Sequence, residues 1–179
     1  MRKEIRISGF GGQGVGLAGF ILGKALTLYD DKDAVMTQSY GPEARGGASS
    51  ANVVVADEPI DYPFVQKPDV LVAMSQEAYD KFHASLQPEA IVLVDKDLVN
   101  VKDAANIHPI PCTRLAESLG RRIVANVVML GFFTAVTDIV SRSSMEEAIT
   151  ASVKPKTVPL NLRAFAVGYQ YASDKEYVR

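Results

Sequence analysis

Apolar positions along the chain follow two alternating rhythms. Residues 2–8 read as a first strand, with Ile5 and Ile7 on one side of it. After a cluster of glycines, Ala18, Ile21, Leu22, Ala25, Leu26 and Tyr29 recur at three- and four-residue steps, which is one face of a helix. Residues 35–39 and 50–56 read as the second and third strands, with the turn-rich Tyr40-Gly41-Pro42-Glu43-Ala44-Arg45-Gly46-Gly47 between them. Three prolines in 57–68 predict an irregular connection. The continuous apolar run 70–74 is a fourth strand, a helix spans about 76–86, and 91–95 is a fifth strand. Residues 106–111 form a short sixth strand whose prolines suit a sheet edge. Helices fill most of the remainder. The one over about 125–140 is apolar on nearly every side, so it is either deeply buried or turned toward a partner chain. The last, over about 160–177, carries Leu162, Phe165, Ala166 and Tyr169 at helical spacing.

Apolar strands alternating with helices predict an α/β fold. The expectation is a single Rossmann-like domain over 1–179, with a mostly parallel sheet and helices on both faces; a mixed sheet is the alternative. The length of 179 residues, 47% of them apolar, suits one domain with a sizeable core. A net charge of -2 offers no general attraction to nucleic acid or to an anionic membrane. The sequence shows no run of membrane-spanning length and no signal-peptide pattern at its start, which predicts a soluble cytoplasmic protein. Its single cysteine, Cys112, cannot form an internal disulfide or build a zinc or iron–sulfur site alone. The run Asp30-Asp31-Lys32-Asp33 reads as a solvated turn.

The first candidate chemistry is the Gly-x-Gly-x-x-Gly spacing of Gly9, Gly11 and Gly14, which includes Gly12 and Gln13. A strand turning sharply into a helix leaves N–H groups pointing outward, and the helix dipole favours an anion there. No acidic residue ends the second strand, so binding of a nicotinamide dinucleotide is a minority reading. Gly23-Lys24-Ala25 lacks the hydroxyl residue of a nucleoside-triphosphate loop. The competing reading is packing: Gly12, Gly16, Gly19 and Gly23 would make a groove along one helix face, open to a sheet or a partner helix. The second candidate is the 40–47 loop, where Arg45 supplies a cation and Tyr40, Gly41, Gly46 and Gly47 shape the backbone. This loop leaves the same sheet edge as the first glycines, and the pair makes a phosphate cradle; an exposed, merely solvated turn is the alternative. Hydrolase and metal chemistry find little support. His83 falls in a surface helix, His108 in an edge strand, and Asp103 and Cys112 form no recognised ligand spacing with it. Cys112 reads as a small packing residue, although its place before a helix could lower its pKa. Asp95 ends a strand, where an acidic residue often only caps a helix.

Taken in order, Gly9-Phe10-Gly11-Gly12-Gln13-Gly14, then Gln38-Ser39-Tyr40-Gly41-Pro42-Glu43-Ala44-Arg45-Gly46-Gly47, then Asn126-Val127-Val128-Met129-Leu130-Gly131, and finally Asn161 with Ala164-Phe165 and Gly168, span nearly the whole chain. The chain thereby resembles the gamma subunit of 2-oxoacid:ferredoxin (flavodoxin) oxidoreductases. The resemblance implies a part in oxidative decarboxylation of a 2-oxoacid to an acyl-coenzyme A, with electrons passed to ferredoxin or flavodoxin. It implies alpha, beta and in some cases delta partner subunits, which carry thiamine diphosphate and the iron–sulfur clusters, and it implies no activity for this chain alone. Coenzyme A is the ligand expected at this subunit, its phosphates on Gly9, Gly11, Gly12, Gln13 and Gly14 and on Tyr40, Gly41, Arg45, Gly46 and Gly47. Homodimerisation of the isolated chain is compatible with this. A purely structural assembly subunit and, behind it, a nucleotide-binding oxidoreductase domain are the other readings.

Overall fold

A computed structural model describes residues 1–39, 47–101 and 106–175. Six strands form one sheet in the order β2-β3-β1-β4-β5-β6: β1 Arg2–Gly9, β2 Asp33–Ser39, β3 Ser49–Ala56, β4 Val70–Ala73, β5 Ile91–Asp95 and β6 Ile107–Ile110. The pairs β1–β4, β4–β5 and β5–β6 are parallel, while β1–β3 and β2–β3 are antiparallel, so the sheet is mixed. The physical reason lies in the 40–48 connection, which is too short for the crossover helix that a parallel β2–β3 pair would need. β6, with Pro109 inside it, takes the edge, as its prolines predict.

Strand alternation sorts side chains onto two unequal faces. Ile5, Ile7, Ala51, Val53, Val55, Val72 and Leu93 face the larger cluster. That face carries α1 Val15–Lys24, α3 Cys112–Ser118, α4 Ala125–Thr137, α5 Arg142–Ser152 and α6 Val158–Asp174. The other face holds Leu71, Ala73, Val92 and Val94 under α2 Gln76–Phe82. Around the β1–β3 half, the irregular 57–68 segment is latched down by polar groups. Glu4 accepts from Gln66 N (2.8 Å) and Lys67 N (3.0 Å), and Arg6 donates to Asn52 Oδ1 (2.8 Å) and Val65 O (3.1 Å).

α4 is buried in its own core from Ala125 to Val136, which decides between the two readings of its all-round apolar surface. It reaches that depth through glycine. A Cβ on Gly131 would overlap the Phe165 carbonyl, and one on Gly168 would overlap the Val128 carbonyl, so α4 and α6 touch backbone to backbone. The glycine groove expected on α1 is shorter and faces inward. Gly16 packs on Gln38 and Gly19 on Ala51 and Met36, all in the chain's own sheet, while Gly23 is open and Gly12 lies outside the helix. A partner helix therefore has no groove there to enter.

α1 continues as a π-helical turn, Ala25–Tyr29, and the acidic run beyond it is more than a solvated turn. Asp30 accepts from Ser141 N (2.8 Å), Ser141 Oγ (2.8 Å) and Ser144 Oγ (2.6 Å), tying this turn to the start of α5, and Lys32 Nζ donates to Ile139 O (2.8 Å). Burial acts to raise the Asp30 carboxyl, but the bonds from Ser144 and Ser141 outweigh it and hold the group below its usual value.

Two outcomes follow for stability. Gly131→Ala forces α4 and α6 apart and is expected to cost at least about 3 kcal/mol in chemical denaturation. Asp30→Ala is expected to cost about 1 kcal/mol at pH 7. Because the Asp30 pKa is lowered by folding, its contribution is present above about pH 4 and fades as pH falls through the folded value. The difference between wild type and Asp30→Ala, followed by thermal melts across pH, should close on the acid side.

Candidate anion site at the switch point of the sheet

From β1 the chain crosses to β2 on one side of the sheet, and from the neighbouring β4 it crosses to β5 on the other. The carboxyl edge between β1 and β4 is therefore a topological switch point, where open α/β sheets leave a crevice. The glycine corner, residues 10–14, occupies this place.

Gln13 braces the corner from inside. Its Oε1 accepts from Phe10 N (2.7 Å), its Nε2 donates to Met74 O at the end of β4 (2.9 Å), and its own N donates to Phe10 O (3.2 Å). Both amide groups of Gln13 are thus used within the corner, which corrects the expectation that its backbone N–H points at a ligand. Gly9 serves this brace as well, since a Cβ there would overlap Gln13 Oε1. Gly12 and Gly14 take left-handed φ values of 88° and 73°. Gly14 meets α4, and Asn126 Nδ2 donates to its carbonyl (3.1 Å), so the third glycine of the motif fits helix to helix. Among the described residues, the N–H groups of Gly11, Gly12, Gly14, Val15, Gly16 and Leu17 have no acceptor. Amides without an intrahelical acceptor are what the motif predicts at the start of a helix.

Of the second candidate loop, Tyr40, Gly41, Arg45 and Gly46 lie outside the described residues. Its two ends do not. Ser39 pairs with Ser50, Ser50 with Ser8 and Ser49 with Gly9, so the loop opens on the same edge as the corner, as expected. Gly47 is half-buried there, and Ala48 N donates to Glu77 Oε1 at the start of α2 (3.3 Å).

A cleft of about 740 Å³ opens beside the corner. Gly12, Gly14 and Leu17 form one wall, Arg121, Ile123 and Asn126 a second, and Lys154, Lys156, Thr157 and Asn161 a third. The N-termini of α1, α4 and α6 all meet at it. Arg121, Lys154 and Lys156 are exposed, and among the described residues no ion pair engages them and no Asp or Glu lines the cleft. Sequence reasoning did not single out these three cations. The signal was present: Arg121-Arg122 and Lys154-Pro155-Lys156 each precede a helix, where a cation opposes the dipole by about 0.3–1 kcal/mol.

The remaining candidates have structural roles. Asp95 is fully buried, and its carboxylate accepts from Thr113 Oγ1 (2.6 Å), Thr113 N (3.1 Å) and Asp97 N (3.1 Å), capping α3; burial raises its pKa. Burial, with Asp95 and Asp97 nearby, pushes the Cys112 thiol well up, so the reactive alternative for this residue fails. His83 stacks on Tyr79 at the surface end of α2. His108 sits in edge strand β6, and Asp103 lies outside the described residues. No group of three or more His, Cys, Asp or Glu able to hold a metal ion occurs among the described residues.

The family model for pyruvate ferredoxin/flavodoxin oxidoreductase matches residues 4–171. The chain belongs to that family. It is a gamma subunit of multi-subunit 2-oxoacid:ferredoxin oxidoreductases, as the ordered motifs imply. The 2-oxoglutarate synthase subunit KorC of Methanocaldococcus jannaschii is 56% identical, over 97% of this chain and 96% of its own length. The keto/oxoacid ferredoxin oxidoreductase gamma subunit of Geobacter sulfurreducens superposes with a TM-score of 0.88 at 42% identity, covering 97% of this chain and 98% of that one. A 2-oxoglutarate:ferredoxin oxidoreductase from Magnetococcus marinus, solved with 2-oxoglutarate, coenzyme A and succinyl-CoA bound, shares the fold at a TM-score of 0.86 and 21% identity; the match covers 97% of this chain and 31% of that one. None of the gamma subunit's described helices is long and apolar enough to cross a membrane.

The corner's geometry separates its glycines by substitution. Gly14→Ala, strained by its φ and in collision with Asn126, is expected to lower stability by about 1–2 kcal/mol. Gly11→Ala, with open space around the added methyl, should stay within about 0.5 kcal/mol of wild type in the same melts.

Proposed function

We propose that this gamma subunit binds the phosphate side of coenzyme A, within a cytoplasmic complex that oxidatively decarboxylates 2-oxoglutarate and passes the electrons to ferredoxin or flavodoxin. The observation that carries the coenzyme A assignment is the set of amides of Gly11, Gly12, Gly14, Val15, Gly16 and Leu17 that have no acceptor among the described residues, at the switch point and at the N-terminus of α1. A pyrophosphate accepts from such amides at little reorganisation cost, because Gln13 and Asn126 already hold the corner in shape. Arg45, on the loop that opens at the same edge, would neutralise the charge brought in. No acidic ribose ligand is needed, which distinguishes this site from a nicotinamide site. The choice of 2-oxoglutarate follows the similarity to a 2-oxoglutarate synthase subunit.

The decarboxylation and electron transfer belong to other chains. A lone, fully buried Cys112 does not fit an iron–sulfur cluster, and thiamine diphosphate and the clusters are assigned to the alpha, beta and, where present, delta subunits. Assembly has its own surface. Phe10, Leu17, Phe20 and Ile123 are exposed around the corner and the cleft, so a partner chain docking there would bury apolar area while closing the cofactor crevice. This makes scaffold and ligand roles two consequences of one surface.

Leu17→Glu tests the reading. A carboxylate in the first turn suits the helix dipole and leaves α1 intact, but it competes with a phosphate for the same amides. In the assembled complex, confirmed by gel filtration, the KM for coenzyme A should rise at least about tenfold while that for 2-oxoglutarate stays unchanged. An unchanged coenzyme A KM would remove the subunit from the cofactor site. Arg45→Ala should raise the same KM by a smaller factor.

A further inference from the structure

At the opposite end of β1 from the glycine corner, residues 57–68 lead from β3 to β4 without regular structure. Polar groups hold this segment down while its aromatic side chains face out. Glu4 accepts from Gln66 N and Lys67 N, Arg6 donates to Val65 O, Arg2 donates to Tyr62 O (3.1 Å), and Gln66 Nε2 donates to the Tyr62 hydroxyl (3.2 Å). Tyr62 and Phe64, packed edge to face with ring centroids 5.5 Å apart, are 48% and 54% exposed. Beside Tyr62 opens a groove of about 480 Å³, whose lining includes Met1, Ala56, Pro59 and Ile60. A fixed backbone that carries a contiguous aromatic and apolar surface suits a protein interface, because little ordering cost remains to be met on docking.

Charge selects what fits there. Glu58 and Asp61 also line the groove, and no ion pair engages either carboxylate among the described residues. Asp57 is paired with the Met1 ammonium and Arg2 with Glu4, while Lys67 lies outside the groove lining. A negative rim repels nucleic acid and anionic membranes. It also disfavours a second copy of this chain, because a two-fold contact would set these carboxylates against their own counterparts. We infer that residues 58–64 dock a basic surface of another subunit of the complex, with Tyr62 and Phe64 in an apolar socket and Glu58 and Asp61 facing cationic side chains around it. This contact is separate from the apolar surface at the corner, since the two lie at opposite ends of the eight-residue β1, about 24 Å apart. The chain thereby presents two docking faces, one at each end of the same strand.

Carbodiimide chemistry on the assembled complex tests this, because it activates accessible carboxylates and couples them to a nearby amine. Glu58 and Asp61 should take up an added small amine in the isolated chain and lose that labelling in the complex, as read by mass spectrometry. Without the added amine, one of them should join to a lysine of another subunit. The variant Glu58→Lys, Asp61→Lys should bind the rest of the complex at least about tenfold more weakly, seen as its loss from the complex on gel filtration. Phe64→Ala should act in the same direction. Both variants are altered only at exposed positions, so each isolated chain should melt at the wild-type temperature; if one melts early, the wild-type labelling decides alone. Equal labelling of the two carboxylates in chain and complex overturns the inference. So does a charge-reversed subunit retained as well as wild type, or a crosslink formed only to a second copy of this chain. The readout is assembly and labelling, not the coenzyme A KM of Leu17→Glu, so this contact and the cofactor site can each fail alone.

Discussion

The contact at which α4 and α6 meet through Gly131 and Gly168 controls the geometry of everything that follows it. Only two glycines let these backbones approach so closely, and the approach packs α4 into the core with nearly all of its side chains covered. Because both helices begin at the cleft, the depth at which they cross also sets where their N-termini emerge. Asn126, in the first turn of α4, then reaches the Gly14 carbonyl and fixes α1 to the same frame. A packing constraint deep in the helical layer is in this way transmitted to the one surface where chemistry is expected.

The glycine corner shows how little of a phosphate motif is ligand contact. Gly9 makes room for Gln13, Gln13 ties β1 to β4, and Gly14 makes room for Asn126. These residues hold the backbone in shape so that the amides around them stay free. In a sheet whose neighbouring connections diverge at this edge, free amides line a crevice that no part of the described chain fills. Preorganisation of that kind suits the binding of an anion at little reorganisation cost.

Features that suggested partner contacts, the all-apolar α4 and the small-residue face of α1, are consumed inside the fold. Of the large apolar side chains that remain exposed, Phe10, Leu17, Phe20 and Ile123 lie around the corner and the cationic cleft, while Met1, Leu28, Tyr29, Tyr62 and Phe64 lie elsewhere.

Local patterns determined the elements of this protein, because period-two and helical repeats, proline placement and the strand–glycine–helix corner are properties of a few consecutive residues. The ordered motifs likewise sufficed to show the family resemblance. Tertiary structure decided what depends on distance. It reversed β3 between β1 and β2, turned Gly19 toward Ala51 instead of toward a partner, and made a latch of Asp30 through Ser141 and Ser144, over a hundred residues away. It also gathered Arg121, Lys154 and Lys156 around the corner at Gly12. Each of those residues looks like an ordinary solvated cation in the sequence, and only the convergence of three helix ends gives them a common object, since charge acts through space and carries no signature along the chain.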